Sequence, residues 1–99
     1  MTTTMRTLSG EVNRLQKAGY NSEIIRDELK KLNPDDWLIK EICRFEGMSD
    51  PADNSILYAI VTKDNKRKSL IVDSFGSENS EAFSKFIRQV AEAPDIIHS

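Results

Sequence analysis

The 99-residue sequence has one cysteine, Cys43, and a single thiol excludes an intramolecular disulfide or a cysteine-rich zinc site. Its one histidine, His98, leaves histidine-based catalysis and metal binding almost nothing to work with. Four glycines, and no Gly-Lys-Ser or Gly-Lys-Thr, provide no phosphate-cradling loop of the usual kind. No apolar run approaches the roughly 18 residues of a membrane span. Residues 1–6 are polar and lack the apolar stretch of an export signal, so the expected compartment is the cytoplasm. A positive excess is missing too. Fourteen Lys and Arg stand against 16 Asp and Glu, for a net charge of -2. That weighs against a general nucleic-acid binder, which needs clustered positive charge to displace counterions.

What is present is the composition of a globular domain: 38% hydrophobic and 30% charged residues. A chain of this size buries roughly 60–70% of its extended surface, enough for one modest core without metal or disulfide. The expected organisation is a frayed segment 1–6, a single domain 7–93 and a C-terminal tail 94–99. No internal repeat or long linker divides the chain.

Leu8, Val12 and Leu15 recur at helical spacing behind Thr7 as an N-cap, and Gly19 follows where a left-handed C-terminal cap is cheapest. Tyr20 can then fold back on the last turn. A second helix is expected with Asn21 or Ser22 as its cap, Ile25, Leu29 and Leu32 as its inner stripe, and Lys30 and Lys31 at its negative end. Asn33 can cap a further short turn starting at Pro34. From Trp37 the period becomes two, with Trp37, Ile39, Cys43 and Phe45 in one register. Glu41 falls in that same register, while Leu38 and Ile42 are apolar on the other. Either the strand is covered on both faces, or a bulge near Lys40 and Glu41 switches its inward side; the bulge is the favoured reading. Residues 55–62, apolar on both registers, form a central strand, and residues 69–75 a third, joined by a polar hairpin with Asp64 and Asn65 at its tip. Phe83, Phe86, Ile87 and Val90 mark the inner stripe of a last helix ended by Pro94.

The expected fold class is therefore α+β: two N-terminal helices, a three-stranded antiparallel β-meander and a C-terminal helix, with the helices packed on one face of the sheet.

Two segments concentrate charge. The loop 46–54 carries Glu46, Asp50 and Asp53, with Arg44 just before it, and these four are the binding candidates. The loop lacks the alternating ligands and closing Glu of an EF-hand, and Asp50-Pro51 is also an ordinary turn opening. The hairpin residues Lys63, Lys66, Arg67 and Lys68 form the densest basic cluster. No aromatic interleaves with them, so they read first as a solvated turn that discourages edge pairing. Asp73 to Ser77 lies where a strand runs into a helix, a setting that attracts anions, although helix capping alone explains Ser77 or Asn79. Cys43 reads as a buried inert thiol, because no histidine stands ready to act as its base.

The stretch Arg44-Phe-Glu-Gly-Met-Ser-Asp-Pro-Ala-Asp-Asn-Ser-Ile-Leu-Tyr-Ala-Ile60, followed by Leu70-Ile-Val-Asp-Ser-Phe-Gly76, resembles a family of short bacterial proteins of similar length. The opening Thr7-Leu8, Val12-Asn13, Leu15 and Gly19-Tyr20 shares in the resemblance, and the segment after Tyr20 departs from it. Some members of that family carry the label of a phosphoribosylpyrophosphate synthetase. The label does not suit this chain. Such an enzyme holds ATP, a ribose phosphate and magnesium, and its phosphoribosyl loop places two acids and a Thr/Gly-rich turn after an apolar strand. Here Leu70-Ile-Val-Asp73 is followed by Ser-Phe-Gly-Ser, with one acid and one glycine. The resemblance implies no activity and points to residues 44–54 as the recognisable surface.

With no catalytic, metal or cofactor residues to assign, the sequence points to a small non-enzymatic binding or regulatory module. Its expected partner is a protein or a second copy of itself, rather than a membrane or nucleic acid. The alternative is a small-ligand or nucleotide-phosphate domain using the acidic 46–54 loop or the N-terminus of the last helix.

Overall fold

The computed structural model describes residues 8–45, 55–74 and 80–98. The first helix, α1, spans Leu8–Lys17 and ends as its glycine requires. Gly19 takes φ +109°, the Tyr20 amide donates to the Leu15 carbonyl (3.0 Å) and the Gly19 amide to that of Gln16 (3.1 Å). This paired closure satisfies two carbonyls of the last turn and brings Tyr20 into the core beside Leu15.

The next segment departs from expectation. Ser22–Glu23 is a short strand, β1, and only Arg26–Leu29 is helical (α2). The Ile24 amide donates to the Leu70 carbonyl (2.8 Å), and pairing with a strand took precedence over a cap at Asn21 or Ser22. The inner stripe shifts accordingly: Ile24 is buried, while Ile25 is 55% exposed. A 3₁₀ turn at Pro34–Asp36 follows, with the Asn33 side chain accepting from the Asp35 amide at 3.0 Å, as a cap before Pro34 should.

Strands β2 (Trp37–Phe45), β3 (Ser55–Thr62) and β4 (Lys68–Ser74) form the expected antiparallel meander, with β3 central. The meander is not the whole sheet. The helix α3 (Ser80–Gln89) stops well before Pro94, and the chain passes directly into a fifth strand, β5 (Ala91–His98). The residues expected as a tail thus lie in the sheet, where β5 runs parallel to β2, and β1 runs parallel to β4 at the opposite edge. The order is β1-β4-β3-β2-β5, a mixed five-stranded sheet and not a three-stranded antiparallel one. Four strands run one way and β3 alone runs the other. The connections from β1 to β2 and from β4 to β5 both cross in the same direction over the same face, so they share one hand.

Helices cover both faces, which corrects the one-face expectation. On one side α1 packs Leu15 against Cys43, Leu57, Ala59, Val61 and Leu70. On the other, Phe83, Phe86 and Val90 close over Trp37, Ile39, Tyr58, Ile60 and Ile71, with Leu29 and Leu32 at the margin. The β2 register slips between Ile39 and Glu41, so the bulge falls at Lys40. Its effect is visible in the packing. Trp37 and Ile39 face α3, whereas Cys43, in the same sequence register, faces α1. The bulge turns Glu41 to the α1 side as well. The β5 register slips at the same level, and Lys40 reaches Asp95 across the two irregularities (2.7 Å).

Candidate functional site

A groove of about 520 Å³ runs between α2 with the 3₁₀ turn and α3. Two crossover connections lie side by side on this face, and α2 is too short to close against the whole length of α3. Leu29, Leu32, Pro34 and Phe86 give the groove an apolar floor, and Arg26, Lys30 and Lys85 stand on its rim. All three cations are exposed, and none takes part in an ion pair among the described residues. Among the described residues no carboxylate lines the groove, although the chain as a whole is acidic.

A second polar cluster lies on the same face, at the end of the sheet where β2 ends and β3 begins. Arg44, Ile56 and Asp73 sit opposite one another across β2, β3 and β4, with Tyr58 one step further in. Asp73 is only 5% exposed. Its Oδ2 accepts from Ser84 Oγ of α3 at 3.3 Å, and its Oδ1 is buried with no hydrogen-bond partner among the described residues. Burying a carboxylate oxygen without a donor costs stability, and such groups are uncommon in native cores. Burial pushes the Tyr58 phenol above its ordinary pKa of 10.0; the charge of Asp73 adds to this and that of Arg44 opposes it.

The α1 face handles its buried charge differently. Glu41 is 7% exposed, and Arg14 of α1 donates to Glu41 Oε2 and, at 2.7 Å, to Glu11 Oε1. The Cys43 thiol donates to Glu41 Oε2 at 3.3 Å. The hydrogen bond to Glu11, joined by that to Glu41 and both negative charges, holds Arg14 protonated more firmly than an ordinary guanidinium, against the opposing effect of burial. The donor atoms of Glu11, Glu41 and Cys43 lie within 4.8 Å of one another, close enough for a metal ion. Arg14 already holds the cation's place between the two carboxylates, so this cluster is a structural charge network.

The basic hairpin is well ordered by its own turn. Thr62 Oγ1 donates to Asp64 Oδ1 (2.6 Å), the Lys66 amide donates to the same oxygen (3.0 Å), and Asn65 takes φ 61°. The Thr62 hydroxyl, then the Lys66 amide, hold the Asp64 carboxyl below its ordinary pKa. Two of its four cations are engaged: Arg67 pairs with Glu28 (3.1 Å) and lies over the Trp37 ring (5.6 Å), while Lys68 lies over Tyr20 (5.7 Å). Lys63 and Lys66 remain exposed. Lys66, Arg67 and Lys68 border a cleft of about 360 Å³ with Gly19, Asn21, Ser22 and Asn65.

Of the predicted binding residues, Arg44 is exposed at the sheet end, near Tyr58 and Asp73. Glu46, Asp50 and Asp53 lie outside the described residues, as do Ser77 and Asn79. Sequence reasoning missed Arg26, Lys30 and Lys85 as a group, because helices far apart in the chain bring them together. The buried Asp73 did carry a signal, as the one acid after three apolar strand residues. No known family model, curated protein or solved structure matches the chain.

Proposed function

We propose that the protein is a small non-enzymatic binding module that acts through protein contacts, and that the α2–α3 groove is the contact surface. The observation that carries this reading is the groove's half-buried apolar floor under a cationic rim that has no ion-pair partner among the described residues. Exposed apolar surface framed by polar residues is characteristic of interaction sites. The sheet edges are poorer candidates for pairing, with a second copy or another chain. β1 has two residues, and β5 is interrupted by its irregularity, Pro94 and the charges of Glu92 and Asp95. A photo-crosslinking amino acid at Lys30, compared in cells with one at Asn13 on α1, tests the reading. Protein adducts specific to position 30 are expected, and equal or no adducts at the two positions would overturn it.

The alternative, a small-ligand site, draws on Asp73. Asp73 Oδ1 accepts from no donor among the described residues, so it favours a ligand that donates an amine or hydroxyl over a phosphate. Ligand present at about 100 times its dissociation constant adds about 2.7 kcal/mol to stability. A thermal-shift panel of polyamines, sugars, nucleotides and divalent ions separates the cases. Stabilisation lost in Asp73→Asn would support this site, and a flat panel would remove it.

A further inference from the structure

We infer that the partner is an acidic amphipathic helix, a conclusion that rests on the binding reading above and gives the partner its chemistry. Three features of the groove select it. The first is shape. The walls are the side chains of two helical elements and a turn, not a strand edge, so no row of unpaired backbone groups waits for an extended peptide. A helix satisfies its own backbone and brings only side chains.

The second feature is the floor. Leu29, Leu32, Pro34 and Phe86 form an apolar strip, which matches the single apolar stripe of residues spaced three and four apart on an amphipathic helix. Phe86 belongs to the core cluster, and Leu29 and Leu32 pack against it, so the strip is anchored to the core.

The third feature is charge. Arg26 and Lys30 lie on one bank and Lys85 on the other, with no acid among the described lining residues. A helix seated on the floor therefore meets cations along both flanks. Glu or Asp beside its apolar stripe pairs with them, whereas Lys or Arg there is repelled at close range. Arg88 continues the positive surface along α3 beyond Lys85, in a shallow depression that Glu81 and Ser84 also line. The rim cations have no partner of their own among the described residues, so a bound helix displaces no existing ion pair.

The test uses the full chain and two fluorescein-labelled peptides of about 15 residues, roughly four helical turns. Both carry the same leucine stripe; one has Glu and the other Lys at the remaining positions. In fluorescence anisotropy the Glu peptide is expected to bind and the Lys peptide not, with affinity falling as salt rises. The Lys30→Glu/Lys85→Glu variant, whose circular dichroism should be unchanged because both side chains are exposed, is expected to weaken the Glu peptide by at least about tenfold and to admit the Lys peptide. The inference is overturned if the two peptides bind equally, if neither binds, or if the variant leaves the Glu peptide's affinity unchanged. Phosphatidylglycerol vesicles form the other arm: vesicle binding lost in the variant, without peptide binding, would assign the groove to a membrane surface and also overturn the inference. Position-30 protein adducts in cells combined with failure of the Glu peptide would leave the protein-contact reading standing and reject only the helix.

Discussion

The two faces of the sheet are built from similar apolar material and treat polar groups in opposite ways. On the α1 face β2, β3 and β4 contribute to one cluster, and its buried acid, Glu41, meets a guanidinium aimed at it from the covering helix. On the α3 face the core is equally well buried, but among the described residues Asp73 keeps an oxygen without a donor and the three cations on the groove rim have no ion-pair partner. The charge on the α1 face is answered within the fold, whereas the groove cations meet no acid among the described residues.

The comparison can be broken first at its common ground. Leu57 faces α1 and Ile60 faces α3, and both are fully buried on β3. Leu57→Ala and Ile60→Ala should each cost about 3 kcal/mol in urea unfolding. A much smaller loss on one side would show that side to be loosely packed.

A smaller effect tests the claim that charge on the α1 face is internal. Arg14→Met leaves Glu41 buried without its guanidinium. Breaking a well-buried pair costs about 3–5 kcal/mol, and the half-exposed Arg14 reduces that to about 2 kcal/mol. Adding Glu41→Leu should recover most of the loss, and a double-mutant cycle measures the coupling. On the opposite face the sign reverses. Asp73→Asn removes a buried charge that has one oxygen unpartnered, and should raise stability by about 1 kcal/mol. A loss instead would mean that the folded chain satisfies the carboxylate in solution.

The smallest effect lies at the crossing of the two bulges. The hydrogen bond from Lys40 holds the Asp95 carboxyl below its ordinary 3.8. A depressed carboxyl pKa contributes stability that is present above pH 3.8 and lost as pH falls through the lowered value. NMR titration of Lys40→Met should show the Asp95 pKa rising toward 3.8, with less of the acid-side stability loss traceable to this group.

What could be read from the sequence was whatever had a period. The α1 and α3 stripes, the central β3, the Gly19 cap and the bulge at Lys40 all follow from spacing, and Glu41 in an apolar register betrayed the bulge directly. The two added strands had no such signal. Ser22 and Glu23 are too few to show alternation, and the helical spacing of Ile25, Leu29 and Leu32 concealed them. In β5, Pro94 and Asp95 resemble a tail; Ile96, which packs on the core, was the residue that argued otherwise. Of the candidate sites, Arg44 and Asp73 could be picked out singly. The groove could not, because a rim made of Arg26, Lys30 and Lys85 exists only once α2 and α3 lie together.

The parallel pairing of β5 with β2 also sets an order of events during synthesis. The meander β2-β3-β4 joins neighbours in the chain and can form as soon as those residues are free. Its outer edge on β2 stays uncovered until α3 and then β5 have been made, because among the described residues nothing earlier in the chain pairs there. For that interval the growing chain exposes a nine-residue strand edge capable of pairing with a neighbour. Lys40 and Arg44, charged residues within that strand, are then its guard against premature partners, and once β5 arrives Lys40 exchanges that duty for its bond to Asp95.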